Sequence, residues 1–334
     1  MIHSVEMVLP NKQERVEYLF TSYGANITKY EHIGAAVRQL NRELKKEYRA
    51  FTISWLSCNA SGTWNLHLKI DLIKLLGKSF IQEDDYDLVE FKIRDFLIDH
   101  FAESSSFDSH RLTRIDYKLD VRLPDKKQRE LLFHLLEKHA AKYAYKVKIK
   151  WGRDEDGNPL KYQTSQYHKC KSVEFIIYSK EDERLAKGEH IESYEKNVIR
   201  YEVRLKNPHL NGMKRKDKGK SREKVLKTYF SKELWKEYME KQVLPIVYRG
   251  DYYTITEAEK IIERSHYSKK KKDSLRSFLV SISKGSIDTP KKKGMSNPTH
   301  RKYIRELEAI GISPILIPKN RKDFPNSMKN PFCI

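Results

Sequence analysis

Three segments of the sequence alternate polar and apolar residues, and their polar positions carry carboxylates, a tyrosine and basic side chains. Over residues 113–123 and 197–206 the apolar side chains recur at every second position, which is typical of a β-strand with one face in a core. Residues 172–180 follow the same pattern, with Ile176 as an apolar exception. If the three strands share one sheet, its polar face collects Arg114, Asp116, Lys118, Asp120, Arg122, Glu174, Tyr178, Lys180, Arg200, Glu202, Arg204 and Lys206.

Carboxylates on such a face could hold a hard divalent cation, Mg²⁺ or Mn²⁺, because these ions prefer oxygen ligands. Asp116 and Asp120 lie about 13 Å apart along an extended strand, so they share one ion only if the strand bends. One of them together with Glu202 from another strand is the better ligand pair. The cation would polarise a phosphodiester and a tyrosine hydroxyl would attack the phosphorus. A solvated face with cross-strand ion pairs would show the same alternation without chemistry, so alternation alone leaves both interpretations open.

The elements around these strands predict an α+β fold with a mainly antiparallel sheet. Helical spacing runs over residues 31–50, 84–101 and 126–144, and period-two alternation runs over 51–58, 63–72 and 145–151. The Asp-Gly pair within 154–159 predicts a hairpin turn.

The last third of the chain predicts a separate, basic helical region. The polar segment 211–224 contains two glycines and many lysines, so we place a basic linker at 211–230, between a domain at 1–210 and a domain at 231–334. Helical patterns occur at 231–242, 256–266, 270–283 and 297–311. With a strand at 312–318 they would form a small winged-helix module; a plain helical subdomain with lysine-rich loops would show the same patterns.

The charge distribution predicts a polyanionic partner. Residues 207–334 contain 30 Lys and Arg against 14 Asp and Glu, a net charge of +16 out of +20 for the whole chain. Such a field attracts nucleic acid, although solubility or a ribosome-like contact would also account for charge alone. The residues predicted to contact DNA are Arg114, Arg200, Lys214, Arg215, Lys216, Lys270, Lys271, Lys272, Arg301, Lys302 and Arg305.

The remaining composition favours a cytoplasmic protein without a membrane partner. No apolar run approaches the roughly 20 residues that a membrane-spanning helix needs, and the first 20 residues lack an export-signal pattern. The three cysteines, Cys58, Cys170 and Cys333, are widely spaced, which indicates reduced thiols and no zinc site.

Two stretches resemble the motifs of the Rep-trans type of rolling-circle replication initiators and, more loosely, of the phage gene II/X replication proteins. LTRIDYKLDV at 112–121 is similar to that family's strand "TR-hydrophobic-D-x-x-x-D". FIIYSKEDER at 175–184 and VIRYEVRLKN at 198–207 are similar to its block "IYxKxxE … RxExxL". The resemblance covers residues 112–207 well, and the order and spacing of the motifs are more specific than either motif alone.

The resemblance implies a metal-dependent, site-specific DNA endonuclease that nicks one strand of a double-stranded origin. Tyr178 would be the nucleophile, forming a 5′-phosphotyrosine and a free 3′-OH, with Lys180 and Glu183 in support. Asp116, Asp120 and Glu202 would be metal or catalytic carboxylates. Dimeric action and a host helicase partner are also implied.

One departure from a large class of nickases is the lack of any His-hydrophobe-His pair in the sequence, which favours a metal site built on carboxylates. His67 could still assist as a ligand or base, and the role of Glu174 stays open. Two other functions remain open: a non-enzymatic origin-binding initiator or repressor, and a conjugative relaxase with the same catalytic domain.

Overall fold

The computed structural model describes residues 1–25, 27, 33–137, 146–148, 151–153, 159–161, 164–215, 221–332 and 334. It confirms an α+β fold with an antiparallel sheet and a helical C-terminal region. The strands are β1 (Ile2–Asn11), β2 (Phe51–Cys58), β3 (Trp64–Asp71), β4 (Arg111–Arg122), β5 (Lys146–Lys148), β6 (Trp151–Arg153), β7 (Pro159–Lys161), β8 (Ser165–Lys169), β9 (Val173–Ser179), β10 (Val198–Lys206), β11 (Tyr252–Tyr253) and β12 (Ser327–Met328). The helices are α1 (Gln13–Ser22), α2 (Ile33–Glu47), α3 (Leu72–Leu76), α4 (Tyr86–Phe101), α5 (Lys126–Glu137), α6 (Lys180–Leu185), α7 (Asn207–Lys214), α8 (Leu226–Tyr229), α9 (Lys232–Val247), α10 (Ile255–Arg264), α11 (Lys269–Ser283), α12 (Thr289–Lys292) and α13 (Asn297–Ala309).

The main sheet has eight strands in the order β2-β3-β1-β4-β10-β9-β8-β5. The pairs β1–β3, β1–β4, β2–β3 and β5–β8 are antiparallel. The three strands whose polar faces suggested chemistry, β4, β10 and β9, are neighbours in this sheet, as the sequence analysis assumed. Strand β1 is a central strand that the sequence analysis did not predict.

The chain divides into two compact units. Unit 1 comprises residues 1–118, 171–174 and 202–238, and unit 2 comprises 119–170, 175–201 and 239–334. The predicted boundaries near residues 210 and 230 rest on composition and stay a prediction.

Unit 1 has a sheet with one apolar face and one polar face. On the apolar face Met7 lies opposite Leu68, which lies opposite Ile53, and all three are buried. Helix α4 packs against this face, where the rings of Phe96 and Phe51 stack with centroids 4.0 Å apart. Helix α4 therefore covers the apolar face of the sheet and does not cover the polar face.

The segment 221–238 packs against the apolar side of β4. Tyr117 donates a hydrogen bond of 2.7 Å from its hydroxyl to the carbonyl of Tyr229, and its ring stacks on that of Tyr238. The indole of Trp235 donates to the carbonyl of Lys118 at 2.9 Å. These contacts fix β4 from the apolar side of the sheet and so help to position its side chains on the polar side.

In unit 2, helices α10, α11 and α13 share a hydrophobic core that includes Ile262, Phe278 and Leu307. Strand β11 pairs with β12 in an antiparallel ribbon. The predicted strand at 312–318 is present only as two isolated bridges, Asp251 to Ile312 and Thr254 to Ile317. The region is thus a small helical module with minor β-structure.

The other predicted helices and strands match the observed ones to within a few residues in the described part of the chain, with α9 extending to Val247 beyond its predicted end at residue 242. The predicted hairpin is represented by β6 pairing with β7, while its turn at 154–158 lies outside the described residues. Lys216, in the predicted linker, also lies outside them. Among the described residues, no helix is both long enough and apolar enough to span a membrane.

We predict that Gly250→Ala destabilises the C-terminal module by roughly 2–5 kcal/mol. Gly250 has φ +84°, and a Cβ there would lie 2.5 Å from the carbonyl carbon of Ile312. Gly212→Ala is the matched control, because a Cβ at this position in α7 would meet no atom within 4 Å. Urea unfolding followed by circular dichroism measures both variants; equal stability of the two would contradict the close approach at Gly250.

Candidate active site

The polar face of unit 1 is shaped by a β-bulge in β1. Ile2 lies opposite Tyr117 and Ser4 lies opposite Asp116 on β4, so His3 is the extra residue between them. A bulge re-aims side chains, and bulges are frequent near active sites. Ile2 and Val5 are both buried in the core, and the bulge places His3 beside Ser4 on the polar face.

Three potential metal ligands meet at this bulge. One donor atom each from His3, Asp116 and Glu202 lies within 4.8 Å of the other two. His3 Nδ1 is 3.5 Å from Glu202 Oε2. The side chains of Asp116 and Glu202 are buried and His3 is 23% exposed, so the group opens to solvent on the histidine side. We call His3, Asp116 and Glu202 the donor cluster.

A single arginine connects the donor cluster to a further carboxylate. Arg204 donates from Nε to Asp116 at 3.0 Å, from Nη2 to Glu202 at 2.8 Å and from Nη1 to Glu174 at 3.1 Å. Lys206 Nζ lies 2.6 Å from the second oxygen of Glu174. Burial alone would lower the pKa of Arg204, but Asp116 and Glu202 outweigh it and raise the pKa, so the guanidinium stays charged.

Asp116 accepts hydrogen bonds from three side chains. Both of its oxygens accept hydrogen bonds from Arg114, and Oδ2 also accepts one of 2.9 Å from the Ser4 hydroxyl. Arg114 and Arg204 therefore neutralise Asp116 and fix its orientation.

The donor cluster fits a divalent cation by its chemistry. One imidazole nitrogen and two carboxylate oxygens suit ions such as Mn²⁺ or Mg²⁺. His3 Nδ1 is buried without a hydrogen-bond partner, although a buried polar atom normally has one. A cation between His3 and Glu202 would satisfy this nitrogen.

The other predicted catalytic residues lie in unit 2. Asp120, predicted as a metal ligand, accepts hydrogen bonds of 2.6 and 2.8 Å from Arg200 and is not part of the donor cluster. Arg200, predicted to contact DNA, is 1% exposed. Tyr178 lies on β9 and is 8% exposed.

Lys180 and Glu183 form an ion pair in helix α6, which begins two residues after Tyr178. Lys180 Nζ donates to Glu183 at 2.6 Å and lies 3.6 Å from Glu195. Burial and the nearby Arg200 charge lower the pKa of Lys180. Burial alone would raise the pKa of Glu183, but hydrogen bonds from Lys180 and Lys187 outweigh it and hold the pKa at about 2.

The basic residues predicted to contact DNA differ in exposure. Arg301, Lys302 and Arg305 are exposed on α13, and Lys214, Arg215 and Lys270 are exposed as well. Two lysines of α11 are engaged inside the module: Lys271 pairs with Glu306 at 2.6 Å, and Lys272 lies 3.9 Å from Glu263. Helix α13 therefore offers three exposed cations.

His3 was not predicted as a site residue, although strand β1 carries a signal for it. The core residues of β1 include Ile2, Val5, Met7 and Leu9, so the apolar phase shifts by one residue at His3. A shift of this kind indicates a bulge within a strand.

The Phage CRI family model, which describes the N-terminal part of a replication-associated protein, matches residues 1–229, well over half of the chain. No curated protein matches the chain. The matched segment contains the donor cluster, Glu174, Arg204 and Tyr178. The resemblance to phage and plasmid rolling-circle initiators is thereby confirmed. The chain belongs to the Phage CRI family of replication-associated proteins, and it is a replication initiator.

Proposed function

We propose that this protein nicks one strand of a double-stranded replication origin by tyrosine attack, with a divalent cation at the donor cluster. The observation that carries the proposal is the meeting of a ring nitrogen of His3 with carboxylate oxygens of Asp116 and Glu202, all within 4.8 Å of one another. His3 Nδ1 lies 3.5 Å from Glu202 and has no hydrogen-bond partner. A site of this composition on a replication initiator is suited to phosphodiester chemistry.

The reaction exchanges one ester bond of phosphorus for another. The Tyr178 oxygen bonds to the phosphorus, the bond from phosphorus to the 3′ oxygen breaks, the phenol loses a proton and the 3′ oxygen gains one. The products are a 5′-phosphotyrosine and a free 3′-OH that a polymerase can extend. The assignment of Tyr178 rests on the family motif around it.

The residues of unit 1 would hold and neutralise the scissile phosphate. A cation held by His3, Asp116 and Glu202 would supply Lewis acidity toward a phosphate oxygen. Arg114 and Arg204 fix Asp116 and Glu202 and contribute positive charge where the phosphorane develops negative charge. Asp120, which pairs with Arg200, is assigned a structural role in this proposal.

Exposed charges on α13 would hold duplex origin DNA through its phosphates. Charge is sufficient for phosphate binding, whereas base recognition needs specific geometry. Dimeric action and a host helicase partner are carried over from the resemblance as further parts of the proposal.

We predict that His3→Ala weakens Mn²⁺ binding by more than about 100-fold, because loss of a ligand costs more than loss of an outer-shell partner. Asp116→Asn and Glu202→Gln should act in the same direction. Isothermal titration calorimetry on the full-length protein without DNA measures the affinity. His190→Ala, at an exposed position in unit 2, is the control. Unchanged Mn²⁺ affinity in His3→Ala would remove His3 from the site.

We predict that Tyr178→Phe abolishes both nicking of a supercoiled origin plasmid and the covalent protein–DNA adduct, because phenylalanine has no nucleophilic oxygen. Agarose gels and denaturing protein gels measure the two products. Tyr194→Phe in unit 2, where the tyrosine is 42% exposed, should nick like the wild type. An adduct formed by Tyr178→Phe would assign the nucleophile elsewhere. A wild type that binds the origin but never nicks would favour the non-enzymatic initiator.

We predict that changing Arg301, Lys302 and Arg305 together to alanine weakens duplex binding and flattens its salt dependence. The slope of log K against log salt should fall by about 0.9 for each phosphate that the protein no longer neutralises. The control changes Arg38, Arg42 and Lys45 to alanine, which removes the same charge from α2. Fluorescence anisotropy with duplex DNA at several salt concentrations measures both, and equal slopes would contradict the assignment to α13.

A further inference from the structure

An exposed tryptophan stands on the same sheet face as the donor cluster. Trp55 on β2 is 54% exposed, although tryptophan usually buries most of its ring. Ile53 lies opposite Leu68 and Trp55 lies opposite His67, so Ser54 is the extra residue of a second β-bulge. The next residue, Leu56, is buried opposite Leu66, which places Trp55 on the polar face.

The strand register places basic side chains on this face beside Trp55. Its cross-strand neighbour is His67 on β3, and His67 lies opposite Val8 of β1, which in turn lies opposite Arg111 of β4. Arg111 is exposed and donates a hydrogen bond of 3.3 Å to Asn65. This row of residues across four strands therefore has the aromatic ring of Trp55 at one end and the exposed guanidinium of Arg111 at the other.

The next row across the sheet carries two cations with a carboxylate between them. Lys69 lies opposite Glu6, and Glu6 lies opposite Arg114. Partial burial lowers the pKa of Lys69, and the neighbouring Arg114 charge lowers it further. Glu6 accepts a hydrogen bond of 2.7 Å from the Ser54 hydroxyl. Asp116 and Glu6 offset part of the repulsion between the cations, and a polyanion on this face would offset more of it.

This basic face is continuous with the donor cluster. Trp55 is separated from β4 by three strand spacings, and Val8 is separated from Ser4 by four residues along β1. Trp55 therefore lies about 20 Å from Asp116 along the sheet diagonal, a separation that a few nucleotides of single-stranded DNA can span.

We propose that Trp55 is a stacking platform for an unpaired base of the DNA strand whose phosphate reaches the donor cluster, with Lys69, Arg111 and Arg114 along the backbone path. Aromatic rings flanked by cations are the usual means of holding single-stranded nucleic acid. A second copy of the chain fits this surface less well, because each copy would bring its own cations. The inference deepens the proposed function and rests on it for the identity of the strand.

The test measures binding of a fluorescein-labelled oligo-dT of about 12 nucleotides to the full-length protein by anisotropy, in EDTA. Trp55→Ala should weaken binding by roughly 5- to 150-fold, and Trp55→Phe should restore most of the affinity because it keeps a ring to stack. Tyr18→Ala is the control, since Tyr18 is 65% exposed on helix α1. Thermal melts establish that each variant is folded.

Wild-type affinity in a folded Trp55→Ala variant would overturn the proposal. Sedimentation that shows loss of a dimer in Trp55→Ala, with oligo-dT binding unchanged, would overturn it in favour of a contact between copies. Because the assay contains no divalent cation and detects no cleavage, it succeeds or fails independently of nicking. If the wild type does not nick DNA but Trp55→Ala lowers oligo-dT affinity, the stacking role of Trp55 is supported and only the proposed nicking reaction is contradicted.

Discussion

The contacts of Arg204 with three buried carboxylates are the interaction on which the polar sheet face depends. Removing a charge from water costs several kcal/mol, so Asp116, Glu174 and Glu202 can lie together only if cations accompany them. Arg204 reaches all three, while Arg114 and Lys206 each add a contact to one. A divalent cation would add positive charge to this balanced group, and a DNA phosphate would offset it.

Two β-bulges give this face its functional side chains. In a regular strand, neighbouring residues point to opposite sides of the sheet, so His3 could not share a side with Ser4. The extra residue in β1 removes this constraint, and the one in β2 does the same for Ser54 and Trp55. The sheet thus keeps an apolar core on one side while gaining a ligand and an aromatic ring on the other.

The charged side chains of the two units differ in their pairing and in their access to solvent. In unit 1, the donor cluster opens to solvent through His3, and exposed Arg111 lies on the same face. In unit 2, Arg200 pairs with Asp120, and Lys180 belongs to a network of ion pairs with Glu183 and Glu195. Ion pairs among buried side chains orient the strand and the helix that carry them, whereas a cluster that is open to solvent can accept a ligand.

The sequence by itself determined the alternating strands and most helices, because period-two and helical patterns record which side of an element meets a core. The family was indicated by the resemblance of the motifs within residues 112–207. The sequence also predicted that Glu202 would share a cation with either Asp116 or Asp120, without deciding between them. It could not assign β1 or His3, because a bulge breaks the period that identifies a strand. Asp120 was named together with Asp116 as a metal or catalytic carboxylate only because the family resemblance implied it. Only the tertiary structure decided that Asp120 forms an ion pair with Arg200 and that His3 lies beside Asp116. The reason is that such contacts depend on the order and register of strands that are distant in the chain.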